Sequence, residues 1–169
     1  MVLNLKKKAK IINENIKKIL FPVHTLSNFT ILEYAKLTHL PIDCLPKDMM
    51  PKVIKKNTGI IANLNNLGEN GSHWVCIVRK NNKILYYDPF GVIHIPKEIE
   101  KAILNSVAEK NIFVSNGQNQ HLISILCGYY CLKMCKSILL DNMTFLESIN
   151  QFTDEPSDKN ADIADNLFL

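Results

Sequence analysis

The stretch Trp74-Val75-Cys76-Ile77-Val78 constrains this chain more than any other. Its alternate positions are apolar on both sides, Trp74, Cys76 and Val78 on one and Val75 and Ile77 on the other, which is the pattern of a central strand buried on both faces. Asn81-Asn82 then separates Lys80 from Lys83. Asparagine tolerates positive φ, so the chain is expected to turn back there, through a two-residue hairpin, into a second strand from Lys83 to Asp88. A hairpin of this kind needs layers over both of its faces. With apolar residues at 47% and charged residues at 21% of 169, there is enough hydrophobic material for one core, and a disordered or collagen-like chain is excluded.

The flanking sequence supplies those layers. Leu5, Ala9, Ile12, Ile16 and Ile19 recur at spacings of four and three, which predicts an amphipathic helix over residues 4–20 with Lys6, Lys7, Lys10, Lys17 and Lys18 on its other face. It ends at Phe21-Pro22. Ser27 or Asn28 can cap a second helix through Lys36, and Pro41, Pro46 and Pro51 make the stretch up to Val53 read as connection. Gly59 to Leu64 reads as a strand and Ser72 to Arg79 as the central one. Pro96 opens a helix to Glu109 with Glu98 and Glu100 in its first turn, and Ile112-Phe113-Val114 is a further strand. Cys127 to Leu140 is expected to be a helix turning Cys131, Met134, Cys135 and Ile138 inward and Lys133 and Lys136 to water. Residues 142–152 add a helical turn or two, and the acidic tail over 154–169 is expected to fray. The whole of 1–169 reads as one domain.

Charge is unevenly spread. Residues 1–60 hold eleven lysines against four acids, although the whole chain carries only +4. A basic front half suits polyanions such as DNA, and a solvated helix face explains it equally well. No apolar run reaches 18 residues, and the N-terminal lysine cluster leads into no long apolar segment, so neither membrane spanning nor secretion is expected. Five cysteines, at 44, 76, 127, 131 and 135, lack the paired spacings of a zinc ribbon or a disulfide scaffold and fit reduced thiols inside a cell.

Three short blocks carry chemistry. Counting outward from Asn81-Asn82, Val75 faces Asp88 and His73 faces Phe90, so His73 and Asp88 are diagonal neighbours on one face, roughly 7 Å apart in backbone terms and within side-chain reach. A carboxylate there would hold the imidazole in one tautomer and stabilise its protonated form. Cys127, followed by Gly128, opens a predicted helix. The positive end of the helix dipole and a protonated histidine both favour a thiolate at such a place. The Cys127 amide can donate to a developing oxyanion, Gly128 allows close backbone approach to a substrate, and the neutral amide of Gln120 suits a second oxyanion donor.

Gly71-Ser72-His73-Trp74-Val75, then Tyr87-Asp88-Pro89-Phe90-Gly91, then Gln120 with Ser124 and Cys127-Gly128-Tyr129-Tyr130-Cys131, in that order, resemble the adenovirus-type (adenain-like) cysteine proteases. The resemblance is especially to the versions encoded by virophages and Polinton-like elements, in the clan of the ubiquitin-like-protein proteases. Leu26-Ser27-Asn28-Phe29 and Gly59-Ile60-Ile61-Ala62-Asn63-Leu64 look like further segments of that pattern, which spans about residues 26–141. The resemblance implies an α+β, papain-like but permuted fold with a central mixed β-sheet flanked by helices and the nucleophile at the N-terminus of a buried helix. It implies His73 as general base, Asp88 as its orienting carboxylate, Gln120 as oxyanion donor and Cys127 as nucleophile, with no metal and no cofactor. It further implies a maturation endopeptidase that cleaves capsid and core precursor polypeptides near small residues such as Gly, in the virion and the host-cell interior, as a monomer. Adenain carries Glu where this chain has Asp88, a chemically equivalent change. Adenain is also stimulated by DNA and by a viral peptide joined through a disulfide; no cysteine here matches, so that device is not carried over.

Plainer readings compete at each position. His73 alone would be a satisfied core histidine, and Asp88-Pro89-Phe90-Gly91 alone a good turn. Gln118 offers the same amide as Gln120, which spacing favours. Cys131 and Cys135 suit core packing better than metal binding, and Trp74 is either core filling or a wall of the substrate cleft. Three other functions would use this chain: an isopeptidase removing ubiquitin-like modifiers, with the same four residues, an acyltransferase on the same scaffold, or a non-enzymatic polyanion-binding or structural module built on the N-terminal lysines.

Overall fold

The structure is a computed structural model that describes residues 2–20, 24–153 and 156–165. Five strands form one mixed sheet in sequential order: β1 (Ile42–Pro46), β2 (Thr58–Asn63), β3 (Trp74–Lys80), β4 (Lys83–Tyr87) and β5 (Ile112–Val114). β2, β3 and β4 are antiparallel to one another, while β1 and β5 add as parallel edges. β3 is central and six of its seven residues are buried. Its hairpin with β4 pairs Lys80 with Lys83 and Cys76 with Tyr87, and Asn81 adopts φ 56°, so the register is the one counted from the turn.

The two faces of β3 serve two layers. Trp74, Cys76 and Val78 join Leu85 and Tyr87 in a core shared with α1 (Val2–Leu20), α2 (Asn28–Thr38) and α4 (Cys127–Leu139). Val75 and Ile77 join Ile60, Ala62, Ile84 and Tyr86 beneath Ile99, Ala102 and Ile103 of α3 (Lys97–Leu104). This is the α+β class, with a mixed sheet flanked by helices, that the sequence led us to expect. Ser27 caps α2 through a capping box with Thr30, and Thr144 does the same with Glu147 for α5 (Phe145–Asn150). Among the described residues no helix is long and apolar enough to cross a membrane.

Four local readings change. The Pro-rich stretch is not only connection, because Ile42–Pro46 is an edge strand; proline fits at such an edge, where no further ladder bond is needed. α3 stops at Leu104, short of Glu109. α4 is buried almost all round, ten of its thirteen residues being inaccessible, so Lys133 and Lys136 are half-buried rather than free in water. The tail expected to fray contains a helix, α6 (Asp158–Asp165), packed on α4. The helix end expected at Phe21-Pro22 and the last four residues of the tail lie outside the described residues.

Asn160 fixes α6. It is fully buried, accepts from the Thr153 N–H (2.9 Å), and donates from Nδ2 to the carbonyls of Thr153 (3.0 Å) and Asn119 (3.2 Å). Removing it takes a partner from the Thr153 N–H and leaves the carbonyls of Asn119 and Thr153 with Tyr130 and Asn119 Nδ2 alone. Asn160→Ala is expected to lower stability by about 1–3 kcal/mol, read as a lower urea midpoint with an unchanged m-value.

Candidate active site

His73 and Asp88 sit just beyond the paired ends of β3 and β4. The Leu64 N–H donates to the His73 carbonyl (3.0 Å), extending the β2–β3 ladder by one step, and the His73 ring stacks on Phe90 with centroids 4.3 Å apart and planes 16° from parallel. His73 Nε2 lies 2.8 Å from Asp88 Oδ1. That same oxygen accepts the Phe90 N–H (2.8 Å), and the Gly91 N–H closes the turn on the Asp88 carbonyl (2.9 Å). The turn at Asp88 and its pairing with His73 are therefore one structure: an Asx turn aims the carboxylate at the imidazole. Gly91 has φ 72°, and a Cβ there would come within 2.9 Å of the Gln118 nitrogen, so only glycine fits.

Asp88 occupies Nε2 and leaves Nδ1, which is buried and has no partner inside hydrogen-bonding distance. Burial alone would push the His73 pKa down. The hydrogen bond and the negative charge of Asp88, with a contribution from the nearby Cys127, outweigh it and carry the pKa up to about 9. Cys127 thus lies near enough to His73 to influence its titration, while Nδ1 itself has no hydrogen-bond partner.

Cys127 is the first residue of α4 and is buried. The turn Leu126 carbonyl is taken by the N–H groups of Tyr129 (2.9 Å) and Tyr130 (3.1 Å), while no described residue accepts from the Cys127 amide, leaving it available at the helix N-terminus. The close approach at Gly128, expected from the sequence to be that of a substrate, is made by the chain itself. A Cβ there would lie 3.1 Å from Leu26 Cβ, so its bare surface is filled by the chain's own 24–27 segment.

Gln120 is held in the connection between β5 and α4. The N–H groups of Asn119 and Gln120 both donate to the Pro89 carbonyl (3.0 Å each), Tyr87 donates its hydroxyl to Asn119 Oδ1 (3.0 Å) and Tyr130 to the Asn119 carbonyl (3.1 Å). The Asp88 turn and the approach to Cys127 are thereby bolted together. Gln120 is fully buried, donates from Nε2 to the Ser124 carbonyl (2.9 Å), and has a buried Oε1 without a partner. Gln118 is half-buried and donates to the Gln120 carbonyl (3.2 Å), so Gln120 is the glutamine tied to the turn leading into Cys127.

A cleft of about 330 Å³ ends on Cys127; Leu26, Asn63, Gly71 and Ser72 line it with Trp74. Trp74 is buried in the core, donates Nε1 to the Leu26 carbonyl (3.0 Å) and lines the cleft. Sequence reasoning gave no role to Asn63, Asn119 or the Phe90 ring, because their contributions depend on contacts that no local pattern reveals. Cys131 donates Sγ to the Trp74 carbonyl (3.4 Å), and burial pushes the thiols of Cys44 and Cys131 up to about 12, which marks both as packing residues. All five cysteines are free thiols, and among the described residues no three metal-binding side chains gather as a site.

No family model and no curated protein matches the sequence. Among solved structures, two of the ASFV pS273R protease, one of them the Se-Met protein, superpose with TM-scores of 0.52 and 0.51. Sequence identity is 16% and 15%, over 85% of this chain and 67% and 68% of theirs. Identity at that level speaks for the fold: this chain shares its mixed sheet and flanking helices with a viral protease.

Proposed function

We propose that this chain is a viral maturation cysteine endopeptidase that cleaves capsid and core precursor polypeptides at sites with small, Gly-type residues. The observation that carries the reading is the His73 imidazole, clamped by Asp88 through Nε2 with Nδ1 left unpartnered, and influenced by the helix-terminal Cys127 thiol. The likeness to a viral protease fold supports it, and the resemblance of the sequence blocks supplies the substrate class. On this reading the enzyme acts where virions assemble inside the host cell.

The chemistry follows from the positions. The Cys127 thiol gives its proton to His73, and the thiolate attacks the scissile carbonyl carbon while the carbonyl electron pair moves to oxygen. The Cys127 amide and the Gln120 side chain bind that oxyanion. As the tetrahedral species collapses, the C–N bond breaks and the leaving amine takes the proton from His73. Water, deprotonated by His73, then hydrolyses the thioester and frees the thiol. Asp88 keeps the imidazolium aligned throughout. Thiol chemistry of this kind needs no cofactor.

Coexpression with the co-encoded capsid precursor, followed by mass spectrometry, is expected to give defined cleavage products with the wild type and none with Cys127→Ala; identical products from both would contradict the proposal. Gln120→Ala is expected to cost on the order of 100-fold in kcat. Asp88→Asn should lower kcat by about 100-fold or more with little change in KM, since it disturbs the imidazole rather than the cleft. Because Asp88 raises the His73 pKa, the alkaline limb of the kcat/KM profile should lie near pH 9 in the wild type and move to lower pH in Asp88→Asn. A limb that stays in place would show that another group governs it.

A further inference from the structure

Asn63 closes β2 and pairs with Trp74 across the sheet, next to the loop that delivers His73. It is a polar side chain only 8% exposed, and that exposed part faces the cleft that ends on Cys127. Its two ends are treated differently by the protein. Oδ1 accepts the Asn65 N–H at 2.9 Å, which fixes the plane of the carboxamide. No described residue accepts from Nδ2, which lies over Gly71, so close that a Cβ on Gly71 would sit 2.8 Å away. An amide whose acceptor end is tied down and whose donor end is left over at the wall of a cleft presents N–H to whatever fills that cleft.

From this geometry we infer that Asn63 is a substrate-positioning residue, whose Nδ2 donates to a main-chain carbonyl of an extended polypeptide running over Gly71 toward Cys127. The inference rests on the endopeptidase reading and deepens it, because it makes recognition at this point a matter of backbone rather than side chain. Glu69, the only charged residue on the cleft wall among the described residues, is engaged by the Asn66 N–H (2.8 Å) and Asn66 Nδ2 (3.2 Å), and so does not compete for a peptide's side chains. Gly71 keeps the wall flush beneath Nδ2, and a larger residue there would displace the donor.

The test is saturable labelling of Cys127 by an acetylated Ala-Ala-Gly-Gly peptide ending in a vinyl sulfone, followed by mass spectrometry, beside labelling by iodoacetamide, which needs no cleft. Asn63→Asp keeps the volume and the acceptor for the Asn65 N–H, and replaces the donor with a second, negatively charged acceptor. It is expected to raise the half-saturating peptide concentration at least three- to tenfold, with an unchanged iodoacetamide rate. Asn63→Ala should raise it by a similar factor and lower the urea midpoint as well, since the Asn65 cap is lost. A half-saturating concentration in Asn63→Asp equal to that of the wild type would overturn the inference, as would wild-type labelling that never saturates. Loss of precursor cleavage is read in the coexpression assay, so the failure of the endopeptidase reading is seen separately from the failure of the clamp.

Discussion

One carboxylate oxygen holds the arrangement together. Asp88 Oδ1 accepts both the Phe90 N–H and the His73 ring, so the bond that shapes the turn also sets the direction of the imidazole. It works only because the β3–β4 register is fixed. The side-chain period along a strand is two, so a one-residue slip would send His73 to the opposite face from Asp88 and turn Val75 and Ile77 out of their core. Burial of β3 on both faces forbids that slip, and the short turn at Asn81 sets the count from the other end. The apolar run that makes the strand central is therefore also what brings the two polar residues together.

Cys127 reaches the pair by a second route that is independent of the hairpin. α4 is almost wholly buried, pinned by the sheet on one side and by α5 and α6 on others, so its N-terminus has little freedom to move. The connection before it is fastened to the Asp88 turn through the Pro89 carbonyl, and to the tail through Asn119 and Asn160. Cys127 and His73 thus come from rigid elements joined by a few backbone hydrogen bonds, which hold the geometry of the candidate site.

Much of this was legible in the sequence, for physical reasons that can be named. The hairpin register followed from the apolar run and the Asn81-Asn82 turn, and the stacking of His73 on Phe90 is the cross-strand pair that count implied. α4 announced itself through inward Cys131, Met134, Cys135 and Ile138, yet its near-complete burial did not, because helices remote in sequence cover its outer face. β1 was missed because it is a short parallel edge whose pairing with β2 depends on residues some seventeen positions away. Gly128 was assigned to substrate approach, whereas Leu26 takes that space; a glycine's bare face shows only that something comes close. The fixed Oδ1 and unused Nδ2 of Asn63 are a matter of three-dimensional neighbours and left no trace in the pattern.

The central claim is that an imidazole held by Asp88 acts on the Cys127 sulfur, and it is tested most directly by the rate at which iodoacetamide alkylates each cysteine at neutral pH in the wild type and in His73→Ala. The account requires Cys127 to be the fastest of the five thiols in the wild type and to lose that lead in the variant, with the fold intact by circular dichroism. Equal Cys127 rates in the two proteins would contradict it.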